Sequence, residues 1–503
     1  MSKLEDVLAE VIPNAHYVGG IVRNSLLGDP SSDVDITLPA SEVKQAATEL
    51  ARRLHAAVFE VDAELGVWRL VTHQEKIQID LTAYQGTNLK EDLCRRDFSF
   101  NALAYPVAAR PEIQISPRKD TTAHLWLKNF RGDLLVDETN GVQDLRHRLI
   151  RLNGNTHFQD DPLRMLRAFR LSAELDFTIV PDTVEQIKKD HALIVQSAGE
   201  RIKEELDRLL NTSHGYEMVC QMDVCGLLTS IFPELEAQRT CAEVYYGPGG
   251  VLKHTLLVLR RMEYLLDHLD EAFPTYHEKL TPFVQNKSLY KMAALLHDVA
   301  KPTTAKVQGD RLRFFYHEQK GAHMARVILQ RLHYSGADIR MICAMIGEHL
   351  RPSNLASNNV LTDRGVYHFF RDLQEAGIPM LLLCWADYTS YISDKQLSQI
   401  LPHAADRLMT ITQAKREENV GKTLRHLQVL SVLFNKYFDQ PQKVRPTRLI
   451  TGKDVMRECN ISSGPKVGQI LETVSEAQVE SKITTRAEAL AFIKKIDASA
   501  FGK

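Results

Sequence analysis

Residues 17–38 read YVGGIVRNSLLGDPSSDVDITL, and the spacing within this stretch governs how the rest of the chain is interpreted. A short apolar strand leads into Gly19-Gly20. A helix-compatible run carrying Arg23 follows, and then Asp33-Val-Asp35-Ile in a β-type pattern. In a strand, residues i and i+2 point to one face, so Asp33 and Asp35 can hold the same cations. The glycine pair lets backbone come close to a phosphate, and the start of the next helix favours negative charge there. Carboxylates beside a phosphate cradle imply a site for Mg²⁺ carried by a nucleoside triphosphate, with Gly19, Gly20 and Arg23 on the nucleotide side. Taken singly, Gly-Gly is a turn and Asp-x-Asp is a solvated strand end. Their order, strand–turn–helix–strand, gives them weight together.

The chain has 503 residues, room for three or four domains, and its 44% apolar and 25% charged content is that of an ordinary globular protein. No apolar run reaches the roughly 20 residues of a membrane span, and MSKLEDVLAEVIPNAH is acidic and amphipathic, unlike a signal peptide. Seven cysteines without a CxxC pair suggest neither a zinc ribbon nor a disulfide framework. We expect a cytoplasmic protein with no membrane partner. Net charge is −2, yet from Lys415 onward 16 Lys/Arg face 10 Asp/Glu, a basic tail compatible with an RNA backbone.

β-type runs (HYVGGIV, SDVDITL, VWRLVTH, KIQIDLTAY) mixed with helical stretches predict an α+β head over 1–150. Helical periodicity over 151–245 predicts a neck. GPGG at 247–250 marks a boundary before a helical, histidine-rich segment over 246–415, and the tail over 416–503 contains the linker-like QPQKVRPTR at 440–448.

Three further clusters carry chemistry. In EDLCRRDFSFNALAY (91–105), Arg95 and Arg96 precede Asp97 at the mouth of an expected apolar helix; the arginines offer planar forks for triphosphate oxygens, or else Asp97 caps that helix and the arginines lie on the surface. Asp80, in KIQID, could act as general base or third metal ligand, or end a strand. In FQDDPLRMLRAFRLSAEL (158–175), Asp161 and Arg164 share a helix face with Arg167 one turn on. A carboxylate beside a guanidinium accepts and donates as a base edge does, so it could read a base without a template; the alternative is a surface ion pair.

GGIVR…DVD, RRDFSFNAL and DDPLRMLRAFR in this order resemble the class II tRNA nucleotidyltransferase and bacterial poly(A) polymerase family, of the DNA polymerase beta-like superfamily, over about residues 10–245. The resemblance implies a polymerase-beta-like head followed by all-α neck, HD and tail domains. It implies Mg²⁺ at Asp33 and Asp35, triphosphate and ribose contacts from Arg95, Arg96 and Asp97, and pairing of Asp161 and Arg164 with the base of CTP or ATP, Arg167 and Arg170 lying nearby. ERIKEELDRLL (200–210) resembles the helix that supports this pocket. Two positions depart from the pattern: the family's Arg-Asp is Arg23-Asn24 here, so either a charge near the triphosphate or a structural hydrogen bond changes, and its Glu-Asp is Asp160-Asp161. The long polar segment 109–132 falls where the family has a flexible loop associated with adding the terminal A.

His254, His297-Asp298, His317, His349 and Asp387 resemble an HD phosphohydrolase set. Adjacent His and Asp at a helix end can reach one divalent transition metal, with the distant residues completing an N/O shell and a bound water serving hydrolysis. The alternative is a helical scaffold retaining histidines. In the tail, SSGPKVGQIL (462–471) resembles a helix-hairpin-helix turn that could hold an RNA phosphate, or is simply a capped helix start. Two functions are thus weighed. One is a template-independent enzyme that adds C, A or both to tRNA from CTP and ATP, with A-only, CC-only and poly(A) addition as variants, the poly(A) variant disfavoured by the short tail. The other is a metal phosphohydrolase acting on 2′,3′-cyclic or nucleotide phosphates.

Overall fold

In Asp33–Leu38 the side chains of Val34, Ile36 and Leu38 are fully buried while Asp33 and Asp35 stay half-buried, the period of a strand with one face in a core. This strand is β2 of a computed structural model that describes residues 3–63, 66–117, 122–154, 157–357 and 361–495. In chain order the head contains β1 (His16–Val18), β2 (Asp33–Leu38), β3 (Ala56–Asp62), β4 (Val67–Thr72), β5 (Gln78–Ala83), β6 (Leu103–Pro106), β7 (Glu112–Ser116), β8 (His124–Lys128) and β9 (Val136–Asp137). Seven of these form one mixed sheet in the order β3-β4-β5-β2-β1-β6-β9, in which only β2 and β5 run parallel. Helices α1 (Leu4–Val11), α2 (Gly20–Leu27), α3 (Ala40–Leu54), α4 (Leu89–Cys94), α5 (Gly141–Arg146) and α6 (Leu163–Leu175) accompany it. Val7, Leu8, Val43, Ala47 and Leu50 from α1 and α3 share one core with Ile36, Ile79 and Leu81 of the strands. The α+β head expected from the sequence is therefore present.

Two local expectations differ. The run after Arg95-Arg96 is not an apolar helix: Ser99–Asn101 is one 3₁₀ turn and Leu103–Pro106 is a strand. Phe98, Phe100, Ala102 and Leu103 are all fully buried, and the intervening Ser99 and Asn101 are buried too, so every face of this stretch is interior and no helical apolar stripe forms. Segment 109–132, expected as a flexible loop, contains the antiparallel pair β7–β8, with Ile113 opposite Leu127 and Ile115 opposite Leu125; its residues 118–121 lie outside the described residues.

The chain divides into two compact units, Met1–Ser197 with Gln221–Ile231, and Ala198–Cys220 with Phe232–Lys503. In the first, the returning segment is held to the turn His191–Gln196: His191 Nδ1 lies 2.7 Å from Ser230 Oγ, and a Cβ on Gly226 would sit 3.1 Å from the His191 ring. The second unit is helical. It contains Gly199–Leu210, where ERIKEELDRLL falls, and the histidine-bearing helices Gly250–Asp267, His317–Arg331 and Gly336–Glu348, together with Lys287–Leu296 and Gly377–Thr389. GPGG lies inside this unit as a tight turn. A Cβ on Gly250, at φ 53, would meet the carbonyl oxygen of Cys241 at 2.4 Å. QPQKVRPTR is partly helical (Pro441–Val444) with Val444 buried. The tail builds its own small core from Ile450, Val455, Ile470, Val474, Ile483 and Ile493. SSGPKVGQIL is a helix start, with Pro465 in the first turn of Pro465–Val479. Among the described residues no helix is long and apolar enough to cross a membrane.

Candidate functional site

The pairing of β2 with β5 fixes the acidic centre of the first unit. Parallel register puts Asp35 opposite Asp80, and carboxylate oxygens of Asp33, Asp35 and Asp80 all lie within 4.8 Å of one another. Burial, and then the neighbouring Asp33, push the Asp35 carboxyl up to about 7. Three carboxylates at this spacing repel each other, and an all-oxygen donor set suits a hard divalent cation. One cation is already built in: Arg69 on β4, opposite Asp80, makes a bidentate pair to it at 2.8 and 2.7 Å. The sequence reading overlooked Arg69. An arginine in register with an expected strand aspartate was the available signal.

Beside this cluster is a cleft of about 380 Å³, lined by Gly19, Gly20, Asp35, Arg95, Arg96 and Asp97 from the head and by Asp161, Arg164 and Arg167 from α6 and its approach. Gly19 is at φ 67, and a Cβ there would fall 3.1 Å from Asp35 Oδ2 and 3.5 Å from Arg96 Nη1. Arg96 is aimed by Asp92, a fully buried carboxylate that accepts from it at 3.0 Å and from the Gln85 amide at 2.9 Å. Asp97 is not a helix cap. It accepts from Phe98 N and Asn101 Nδ2 and forms an ion pair with Arg167 Nε; burial, the largest influence, opposes its ionisation, but Arg167, the Asn101 and Phe98 hydrogen bonds and Arg164 together hold it below the usual carboxylate range. Arg164 donates to the Arg95 carbonyl at 3.1 Å, while its buried Nη1 has no hydrogen-bond partner. Asp161 accepts from the Leu163 amide at 3.3 Å.

Of the residues expected to bind the nucleotide, two lie outside the lining of this cleft. Arg23 is buried, donates to Asn101 Oδ1 at 2.6 Å and sits 5.9 Å from the Phe100 ring centre. Arg170 is buried against Glu174. Asn24 resolves one of its two alternatives: its oxygen accepts from Arg23 Nε at 2.9 Å and its amide donates to the Pro30 carbonyl at 3.0 Å, so its work is structural. A carboxylate could not make the second bond.

The second unit gathers His254, His297, Asp298, His317, His349 and Asp387, all buried. His254 Nε2 lies 3.3 Å from both Asp298 and Asp387, and His297 Nε2 lies 3.1 Å from Asp298. His254, His297 and Asp298, and again Asp298, His317 and His349, place ligand atoms within 4.8 Å of one another. Three rings are oriented by backbone carbonyls three residues earlier: Nδ1 of His297, His317 and His349 meets the carbonyls of Ala294, Phe314 and Ile346 at 2.8, 2.8 and 2.7 Å. Their Nε2 atoms are thereby turned inward with a lone pair. Burial lowers His349 to about 4, so it is neutral at pH 7. Nε2 of His254, His297 and His317, both Asp298 oxygens and Asp387 Oδ1 are buried and make no aligned hydrogen bond. Orphaned nitrogens and carboxylate oxygens converging on one point fit a divalent transition metal. Lys301, missed by the sequence reading, is 2.5 Å from Asp298 and 2.8 Å from the Tyr246 hydroxyl; its place one helical turn after His297-Asp298 was the signal.

Both centres fall within segments that match known protein families. Residues 15–151 match the poly A polymerase head domain, 176–239 the probable RNA- and SrmB-binding site of polymerase A, and 251–392 the HD domain. The chain is 27% identical to the A-adding tRNA nucleotidyltransferase of Deinococcus radiodurans, over 96% of this chain and 95% of that one. It is 29% identical to the CC-adding tRNA nucleotidyltransferase of Thermus thermophilus, over 95% and 93%. Its fold is that of the Thermotoga maritima CCA-adding enzyme complexed with tRNA, at TM-score 0.57 and 18% identity over 97% of this chain and 93% of that one.

Proposed function

The chain belongs to the class II tRNA nucleotidyltransferase and bacterial poly(A) polymerase family, and from that premise we propose that it adds C, A or both to the 3′ end of tRNA, from CTP and ATP. The observation that carries this reading is the single cleft that collects the glycine pair, Asp35, Arg95, Arg96 and the Asp161/Arg164 pair. Asp33 and Asp35 would hold Mg²⁺, which when bound activates the attacking 3′ hydroxyl and stabilises charge on the leaving pyrophosphate. Arg95 and Arg96 grip the triphosphate, Arg96 in the orientation Asp92 imposes. Asp161 and Arg164 present an acceptor and donors to the base edge, and Asp97 fixes Arg167 beside them. Asp80, held by Arg69, keeps a third negative charge next to the metal ligands. We keep the four-part division at 1–150, 151–245, 246–415 and 416–503 as our reading of the domains, and place the protein, none of whose seven cysteines is in a disulfide among the described residues, in a reducing cytoplasm.

tRNAs ending before CCA, after C and after CC, each given CTP or ATP alone, test the proposal. Product lengths distinguish CCA, CC-only, A-only and poly(A) addition, and incorporation that survives Asp33→Ala with Asp35→Ala removes the reading altogether. A second activity rests on the orphaned inward-facing atoms of the histidine centre: metal-dependent hydrolysis of 2′,3′-cyclic or nucleotide phosphates. His297→Ala is expected to abolish it and to spare nucleotide addition.

A further inference from the structure

The sequence between His297-Asp298 and His317 forms an antiparallel hairpin, Ala305–Gln308 with Arg311–Phe314, turned through Gly309 at φ 59. An isolated two-stranded ribbon is marginal alone. This one is pinned by the Tyr245 hydroxyl, which bonds both the amide and the carbonyl of Leu312 at 2.9 and 3.0 Å, and by Lys301, 5.6 Å from the Phe314 ring centre. Register sorts its two faces. Ala305, Val307, Leu312 and Phe314 share one; Lys306, Gln308, Arg311 and Arg313 share the other, with Lys306 directly opposite Arg313. Like charges in that position destabilise a ribbon. All four of these side chains are exposed, and no carboxylate pairs with the three cations among the described residues. Across 301–326 six Lys/Arg face two acids, Asp310 at the turn and Glu318, in a chain whose net charge is −2.

The ribbon leads into two exposed aromatics. Phe315 is 49% exposed and Tyr316 is 71% exposed, and Tyr316 sits in the left-handed region at φ 60, a strained backbone for a bulky residue. The next residue is His317 of the metal-type centre. A strip of unpaired cations ending in open rings is the pattern that binds unpaired nucleic acid, phosphates along the cations and bases stacked on the rings.

We propose that the cationic face of this hairpin, with Phe315 and Tyr316, is a binding surface for a single-stranded RNA end. Lys306, Arg311 and Arg313 track the backbone, and Tyr316 stacks a base beside His317. The inference rests on RNA being the partner of this protein and assigns to that partner a contact outside the nucleotide cleft.

Full-length protein and a fluorescein-labelled 12-nucleotide single-stranded RNA test it by anisotropy across a salt series. Arg311→Glu with Arg313→Glu is the main variant. The carboxylate introduced by Arg313→Glu would face Lys306 as a favourable pair, so the hairpin keeps its fold while the strip loses its charge. About three phosphate contacts contribute roughly 2 to the slope of log K against log salt, and most of that slope is expected to disappear, with affinity at least tenfold weaker. Tyr316→Gly removes the ring and relieves the backbone; the expected loss is about 5- to 100-fold without a fall in thermal stability. Unchanged affinity and slope in both variants overturn the proposal. So does a variant that keeps RNA affinity but changes a wild-type dimer to a monomer, which would make the surface a protein interface. If wild-type protein binds neither this RNA nor tRNA, the RNA reading itself fails, and the two failures are told apart by that control.

Discussion

Replacing Arg69 by Ala removes the positive charge that neutralises the acidic cluster of the head. Breaking a buried pair from one side costs about 3–5 kcal/mol, because a charge is left in the interior without compensation. Here the Arg69 side chain is 34% exposed and Asp80 9% exposed, so water screens part of the loss, and about 2 kcal/mol is expected. In a unit of this size that lowers the melting temperature by about 4–8 °C. The perturbation has a second signature. Asp80 is in register with Asp35 and close to Asp33, so removing the arginine raises the negative potential where a divalent cation is proposed to bind. Mg²⁺ should therefore stabilise Arg69→Ala more than it stabilises wild type. Thermal unfolding in EDTA and in Mg²⁺, with Arg69→Lys as a charge-retaining control, reads both effects. A melting temperature in EDTA within about 1 °C of wild type, or equal Mg²⁺ shifts in the two proteins, would refute the electrostatic account.

Three other outcomes are expected. Asp35 has its folded pKa raised above the unfolded value, so its proton stabilises the fold at low pH and that stabilisation is lost as pH rises through about 7; Mg²⁺ must displace this proton below that pH, and its effect on melting should be larger near pH 8 than near pH 6. His349→Ala removes an oriented neutral imidazole, and metal retained after dialysis, read by elemental mass spectrometry, should fall about tenfold or more while CTP incorporation persists. Gly250→Ala drives a Cβ to 2.4 Å from the Cys241 carbonyl at a left-handed φ and should cost about 2 kcal/mol or more, visible as earlier unfolding of the second unit and weaker metal retention at His254 one turn on.

The centre of the head was legible because strand periodicity is local: Asp33 and Asp35 needed only their own spacing, and β2 has the burial pattern that spacing implies. The run Phe98–Leu103 was misread because a short, largely apolar stretch suits a helix or an interior strand equally, and only the neighbouring strands β1 and β9 decide it. Arg23 looked like a nucleotide ligand because it follows the glycines, yet its direction is set by Asn101, far along the chain. Arg69, Asp92 and Lys301 went unnoticed for the same reason: each acts by holding another functional residue, and such partnerships are made in space.

The first unit is assembled from two separated pieces of chain, 1–197 and 221–231, with 198–220 belonging to the other. Its completion is therefore delayed during synthesis. A ribosome that has finished the nucleotide cleft and all of α6 has still not made Gly226 and Ser230, the residues that close onto His191. Domains fold as units as they emerge, so this one is held open until part of its successor has been translated. Truncation anywhere between 197 and 231 leaves a catalytic head lacking its last packed segment, and dissecting the protein calls for a cut beyond Ile231.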